Sequence, residues 1–587
     1  MKKMMISLMA ALLIAIVGLS SGDAAAAVNQ TDIPQVFITT EREIVREEYI
    51  PAEITIVDKA GGTHATIVDT GARIKIRGNS TAALAKKPFN IKLSKSESVL
   101  GMPAGKKWSM LANYLDTSLM RNKLSYDFAK EIGLAYSSQT RYADVWVNGK
   151  YNGNYLITVP VETGKNRVDI DVANGDYLIE LSVGRIEEGV TYLNTYIHRF
   201  EFNDPETPTQ EQLNWMFTYL VTAENAMKSG DFDKIKQYID VDSFVDFFLV
   251  QEYFKNIDAN TSSTRYYIKD GILYAGPLWD MDLIAGNVSV HDEMKHYRIY
   301  NNWGTLGNGS NNSHEGLWVY NQDMDGPNAT IGPSWIGYLT RCPEFRTLVY
   351  TRYLELQDQI VNLYKANDLG DARIDVLLKE YNDSFSRDLK RWPISVYRND
   401  LHRTTETTFD ESVAFLRDFL EKRNQWLLAN MIPKDFDSTS APAVTKAADP
   451  TNATVIVNGK RIAFDAYNIE GNNYFKLRDL AMVFSGSGKQ FEVDWKEDVR
   501  AINLVSGRRY TPVGGELAKG AKGKVQSTLW TSAIYKDNAK VSLTAYNIRG
   551  NNYFKLRDVT KLFNIGVGWE PHTKTIELDT ALSYQEP

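Results

Sequence analysis

Asn256–Asn287 reads NIDANTSSTRYYIKDGILYAGPLWDMDLIAGN. Asp258 follows the apolar, helix-like run Phe244–Ile257, and Asp280 and Asp282 follow the strand-like run Ile272–Leu278. Alternate side chains of an extended chain share a face, so the spacing of 280 and 282 predicts two carboxylates aimed the same way. Adjacent carboxylates repel unless a proton or a cation lies between them. A D-x-D pair at a strand end, with a third aspartate about twenty residues upstream, therefore points to a hard cation such as Mg²⁺ or Mn²⁺. Capping and solvated turns are the ordinary use of such a pair. Here Pro277, Leu278, Trp279, Met281, Leu283 and Ile284 are apolar, which sets the carboxylates beside a core instead of in water.

The chain has 587 residues, 43% hydrophobic and 24% charged, enough for several globular domains. A net charge of −7 argues against nucleic acid as a partner and against adhesion to anionic lipid. Lys2 and Lys3, the apolar run Met4–Leu19 and the small residues up to Ala27 have the order of a secretory signal peptide, residues 1–27. The run is short for a membrane span, so a secreted or cell-surface protein is expected. Cys342 is the single cysteine, which excludes intrachain disulfides and a cysteine metal site. The histidines form no H-x-H or H-E-x-x-H pair, so a histidine-held catalytic metal has no support.

Lys434–Asn452, poor in large apolar residues and rich in Ser, Thr, Ala and Pro, reads as a linker, residues 434–453. Before it, residues 28–433 are strand-rich as far as Leu283 and helical beyond. Helix-compatible apolar spacing covers Ser109–Ile132, Phe345–Leu369, Ile374–Leu389 and Thr408–Met431. After the linker, in residues 454–587, AYNIEGNNYFKLRDLAMVF (Ala466–Phe484) returns as AYNIRGNNYFKLRDVTKLF (Ala545–Phe563). Each copy predicts strand, turn, strand, helix and hairpin. In YFKLRD the Tyr, Phe and Leu are expected to anchor a helix start while Lys and Arg face water. The expected fold class is α+β: a β-rich first part, a helical second part, then two small α+β repeat units.

Further segments complete a pattern. Arg73-Ile-Lys-Ile-Arg-Gly-Asn-Ser-Thr81 leads to Lys86-Lys-Pro-Phe-Asn-Ile-Lys-Leu93, Trp108–Asp116 leads to Leu119–Tyr126, and Val145–Tyr155 ends the series. With the N-x-D and GPLWDMDLIAGN segments, these resemble the CotH kinase family of atypical protein kinases. The resemblance implies a kinase-like domain that takes ATP and Mg²⁺ or Mn²⁺ in a cleft. Carried over by position, Asp258 matches the catalytic Asp and Asp280 the metal-binding Asp, with Asp282 beside it. Ser263 stands where a kinase-type loop often carries the Asn of a second metal position. Lys92 lies on the strand Phe89–Leu93, with Phe89, Ile91 and Leu93 facing the other way, and is the expected phosphate-binding lysine. Lys87 is its substitute, and Arg77 and Arg121 are candidates for added nucleotide-binding charge. Asn113 and Arg121-Asn122 interrupt an apolar segment, which makes them site candidates, whereas Asn148-Gly149 reads as a hairpin turn.

The chain departs from the family pattern at Val159, where relatives tend to carry Glu. The next acid is Glu162, and Glu180 is a further candidate to replace it. The tail repeats resemble the repeat named after the N-terminal stalk domain of copper amine oxidases. No copper is expected, because no precursor tyrosine in N-Y-D/E accompanies three histidines. The implied function is a secreted kinase transferring phosphate from ATP to Ser or Thr of a protein substrate, with the repeats meeting a cell-wall or surface polymer. The alternative is a non-catalytic pseudokinase scaffold or wall-binding protein, motivated by Val159 and Ser263.

Overall fold

The computed structural model describes residues 32–78, 80–182, 188–259, 263–287, 297–301, 305–309, 313–317, 335–394, 406–433, 445–469, 471–496, 501–518, 523–530, 534–541 and 543–585. The expected signal peptide, 1–27, and residues 434–444 of the expected linker lie outside them. The chain divides into two compact units, Met1–Asp435 and Phe436–Pro587.

Alternating hydrophobicity builds the barrel of the first unit. Strands β1 (Gln35–Thr39), β2 (Ile50–Val57), β3 (Ile67–Ile76), β4 (Phe89–Glu97), β5 (Gly105–Leu111), β6 (Thr140–Val147) and β7 (Lys150–Thr158) close in the order β1-β2-β3-β4-β5-β7-β6. In β4, Phe89, Ile91 and Leu93 enter the core while Lys92 is exposed on the outside, as the period of two dictates. Trp108, Met110, Val145, Tyr155 and Ile157 fill the same core, and Val159 packs against them. Asn148 and Gly149 join β6 to β7 with φ of 47° and 75°, the left-handed pair a tight hairpin needs.

The helix expected over Ser109–Ile132 begins later than its apolar spacing implies. Ser109–Leu111 completes β5, paired with β4 and β7. Helix α1 starts only at Arg121 and runs to Glu131. Between them Asn113 and Leu119 take φ of 47° and 62°. The Asp116 carboxylate accepts the N–H groups of Ser118 at 3.0 Å and Arg121 at 2.8 Å, a local turn that competes with helix.

The helical part comprises α2 (Gln210–Ser229), α3 (Val241–Tyr253), α4 (Pro343–Glu355), α5 (Gln357–Tyr364), α6 (Arg373–Arg391) and α7 (Phe409–Asn430). Thr209 and Thr408 open α2 and α7 with reciprocal capping boxes to Gln212 and Glu411. A second sheet has β8 (Tyr177–Leu181), β9 (Tyr192–Asn194), β10 (Arg199–Asp204), β11 (Thr264–Lys269) and β12 (Ile272–Ala275), ordered β12-β11-β8-β10-β9. The β11–β12 hairpin carries the chain from the end of α3 to Asp280. Among the described residues, fully buried ion pairs tie distant elements together: Lys86 with Asp388 of α6, and Glu252 of α3 with Arg423 of α7, each at 2.6 Å. Among the described residues no helix is long and apolar enough to cross a membrane.

In the second unit, Ala466–Ile469 and Asn472–Lys476 lead into the helix Leu477–Phe484, and Ala545–Ile548 and Asn551–Lys555 lead into Leu556–Leu562. Asn472–Lys476 pairs antiparallel with Asn551–Lys555, placing Phe475 opposite Phe554. Tyr467 meets Tyr553, and Tyr474 meets Tyr546, edge-on at 5.3 and 5.2 Å. Lys476 and Lys555 do not face water as expected; both are buried where strand turns into helix. Lys476 lies 3.9 Å from Asp465 there, so the carboxylate offsets the buried charge. Thr445–Pro450, inside the stretch expected to be linker, is a strand between Val525–Leu529 and Ala466–Ile469 and belongs to a closed barrel.

Removing that strand exposes the edges of two others. A fragment beginning at Phe436 should melt cooperatively, and one beginning at Thr454 should melt about 5 °C lower or without a transition. Equal melting of the two fragments by circular dichroism would contradict the role given to Thr445–Pro450.

Candidate active site

Two backbone hydrogen bonds hold the Asp258 and Asp280 loops side by side. Ile257 N–H donates to Leu283 O at 3.3 Å, and Ala285 N–H donates to Phe254 O at 2.6 Å. Asp258 N–H donates to Asn256 Oδ1 at 3.0 Å, which fixes the turn after α3.

Helix α1 grips the second loop from its other side. Arg121 Nε donates to Ile284 O at 2.9 Å, Nη2 to Ala285 O at 3.2 Å and Nη1 to Asp116 Oδ1 at 2.6 Å. Asn122 Oδ1 accepts the Met281 N–H at 3.0 Å, and the Tyr126 hydroxyl oxygen accepts the Asp280 N–H at 3.2 Å. The D-x-D pair is therefore not the end of an extended strand. β12 stops at Ala275, and Asp280 has φ of 60°. Met281 is sealed in the core while Asp280 and Asp282, both half-buried, line a cleft.

The cleft is acidic on one wall and cationic on the other. Ser263 Oγ donates to Asp280 Oδ2 at 3.0 Å. Burial, then the charges of Asp280 and Asp258, hold the Asp282 carboxyl well above the usual carboxylate range. Arg77 faces this group with its guanidinium 5.2 Å from the Trp279 ring centroid. Burial works against its charge, and Asp280, Tyr126 and Asp282 are the groups that favour it. Trp279 also stacks on Tyr126, with ring centroids 6.4 Å apart. The cleft holds about 40 Å³, room for water but not for a nucleotide unless a wall moves. The turn Ser80–Ala83 supplies part of that wall through Thr81. Gly78, with φ of 87°, has the Thr81 hydroxyl where a Cβ would fall, so only glycine permits this turn.

The expected site residues separate into three groups. Asp258, Asp280, Asp282, Ser263 and Arg77 come together. Lys87 and Arg121 lie close by with their donors engaged elsewhere: Lys87 Nζ donates to Ala82 O at 2.9 Å and steadies the Ser80–Ala83 turn, and Arg121 sits beneath the loop it holds. Lys92 does not join them. It stands on the outer strand face between Arg73 and Lys107 and has no ion pair among the described residues. Neither candidate acid meets it: Glu180 pairs with Arg265 at 2.6 Å, and Glu162 with Lys107 at 3.3 Å.

Tyr126 and Asn287 escaped the sequence reading. Asn287 is fully buried and donates to Asp282 O at 2.7 Å and to Leu115 O at 3.3 Å, while its Oδ1 has no hydrogen-bond partner among the described residues. Its place at the end of the stretch NIDANT…IAGN was the available signal. Among the described residues no three acidic or histidine side chains form a ready-made metal cage. The fit to a hard cation rests on donor chemistry instead. The Asp280 and Asp282 carboxylates and the Ser263 hydroxyl all present oxygen, and a cation would offset both the burial and the neighbouring negative charge that raise Asp282.

A family model described as CotH kinase protein matches residues 74–427. Inner spore coat protein H of Bacillus subtilis (strain 168) is 31% identical over 132 residues, which is 22% of this chain and 34% of that protein. The match thus spans about a third of that relative's length.

Two outcomes follow from the geometry. Arg121→Gln leaves Asp116 buried without its ion partner and should cost about 3–5 kcal/mol in urea denaturation; a loss below about 1 kcal/mol contradicts the role of the pair. A carboxyl whose folded pKa lies above its unfolded value binds its proton more tightly when folded. Asp282 therefore favours folding at acid pH, and that contribution fades as pH rises from about 3.9 through the folded value. Asp282→Asn, which cannot titrate, should match the parent near about pH 4 and exceed its stability by on the order of 1 kcal/mol at about pH 8. Mn²⁺, binding the parent, should narrow that gap. A pH-independent difference contradicts the raised pKa.

Proposed function

Because this chain belongs to the CotH kinase family, we propose that it is a CotH-type phosphotransferase moving the γ-phosphoryl group of ATP to Ser or Thr hydroxyls of a protein substrate. The observation that carries this reading is the meeting of Asp258, Asp280 and Asp282 on two hydrogen-bonded loops opposite Arg77. Asp258 accepts the proton of the acceptor hydroxyl as its oxygen bonds to phosphorus and the bond to ADP breaks. Arg77 lies where it offsets negative charge on the transferred group. Asp280, Asp282 and Ser263 would hold Mg²⁺ or Mn²⁺, which when bound neutralises charge on the phosphates. Thr81 of the Ser80–Ala83 turn lines the cleft, and admitting ATP requires a wall of it to move.

Export through residues 1–27 and attachment of the tail to a cell-wall or surface polymer complete the proposal. The match to a protein named for the inner spore coat agrees with a surface location. The tail's likeness to the copper amine oxidase stalk rests on sequence alone.

A second reading, a nucleotide-independent scaffold, is favoured by two specific observations. Val159, where the family pattern tends to have Glu, is locked in the barrel core, and Lys92 lies outside the cleft. Incubating the full chain with labelled ATP, Mn²⁺ and a Ser/Lys-rich peptide separates the two. Label in the peptide should exceed that given by Asp258→Asn by at least about 100-fold. Transfer no greater than in that variant would leave the scaffold reading.

A further inference from the structure

A cavity of about 490 Å³ lies behind α1, an order of magnitude roomier than the Asp280 cleft and within the range of small-molecule sites. Helix α1 is the wall between them. At about 3.6 residues per turn, Arg121, Asn122 and Tyr126 occupy one half of its circumference and hold the Asp280 loop. Lys123, Leu124, Asp127, Phe128 and Glu131 occupy the other half and line the cavity. Leu377 and Tyr381 of α6 form the facing wall, and Arg141 and Tyr142 of β6 contribute a third side.

The cavity lining carries as many acidic side chains as Lys and Arg side chains, and most of them are paired with one another. Lys59 pairs with Glu380 at 3.0 Å and Arg373 with Glu131 at 3.2 Å. Lys123 pairs with Asp127 at 2.6 Å, and the Asp58 carboxylate accepts the N–H groups of Lys59 at 2.8 Å and His64 at 3.0 Å. Every carboxylate of the lining thus has a partner. Arg141 donates to the Thr140 carbonyl at 2.9 Å, and among the described residues no acid pairs with it. It lines the cavity together with the buried apolar side chains Leu124, Phe128 and Leu377. A charged fork with unmatched donors beside an apolar wall suits a carboxylate that carries a hydrocarbon body.

We propose that this cavity binds a small amphiphilic anion, its carboxylate on Arg141 and its apolar body against Leu124, Phe128 and Leu377. Because α1 also anchors the Asp280 loop, the occupied cavity changes nucleotide affinity across the helix. That coupling rests on the kinase reading, whereas the binding itself does not.

Decanoate is the probe, titrated calorimetrically into the full chain, with decanol as the uncharged comparison. The proposal predicts saturable binding of one decanoate and weaker binding of decanol. Arg141→Gln should reduce decanoate affinity at least about 10-fold, and Leu377→Asp, which sets a carboxylate in the apolar wall, should reduce it at least as much, each with the parent's circular dichroism spectrum. ATP affinity measured with Mn²⁺ should change about 5-fold or more when decanoate is saturating. Absence of decanoate binding, or binding untouched by both variants, overturns the site. Decanoate binding as predicted with no ATP binding leaves the site standing and removes the kinase reading. ATP binding without decanoate binding removes only this site.

Discussion

The buried guanidinium of Arg121 reaches in two directions. One side pairs with Asp116, whose carboxylate also shapes the turn before α1; the other takes the carbonyls of Ile284 and Ala285. A charge held out of water is tolerable only where every donor is satisfied, so its geometry tolerates little displacement. Segments more than 150 residues apart in sequence are thereby fixed against each other. Asn122 and Tyr126 extend the grip to the backbone of Met281 and Asp280, and the loop is held in a left-handed turn that presents Asp280 to the cleft.

Once that loop is fixed, the electrostatics follow. Backbone bonds to the segment after α3 bring Asp258 near enough to act on Asp282, which lines a narrow cleft together with Asp280. Burial, and after it the repulsion from Asp280 and Asp258, raises Asp282; Asp280 and Asp282 favour the charge of Arg77 across the cleft, and Trp279 lies against Arg77. A site built from like charges is expensive to keep empty and well suited to a cation with a polyphosphate. The same helix that sets this side carries the lining of the large cavity on its back.

Much of the framework was legible because it depends on local periodicity. The alternation in β4, the Asn148-Gly149 hairpin and the extents of α6 and α7 all come from short-range rules. The three aspartates were legible for a different reason, since charges inside an apolar stretch need a purpose. The conformation that joins them was not: Asp280 leaves the extended region because Tyr126, in a distant helix, takes its N–H. Lys92 shows the limit most clearly. Alternation correctly set it opposite the core, yet the outer face of a closed barrel borders both cleft and solvent, and only the tertiary fold decides which. Thr445–Pro450 was hidden because small residues carry little hydrophobic signal and its partners are remote in sequence.

The central claim is that the loop held by α1 makes a metal-dependent nucleotide site. Calorimetric titration of ATP into the full chain, with and without Mn²⁺, tests it most directly. The account predicts saturable ATP binding that requires Mn²⁺ and disappears in Asp280→Ala. ATP binding that is absent, or that persists unchanged in Asp280→Ala, would contradict it.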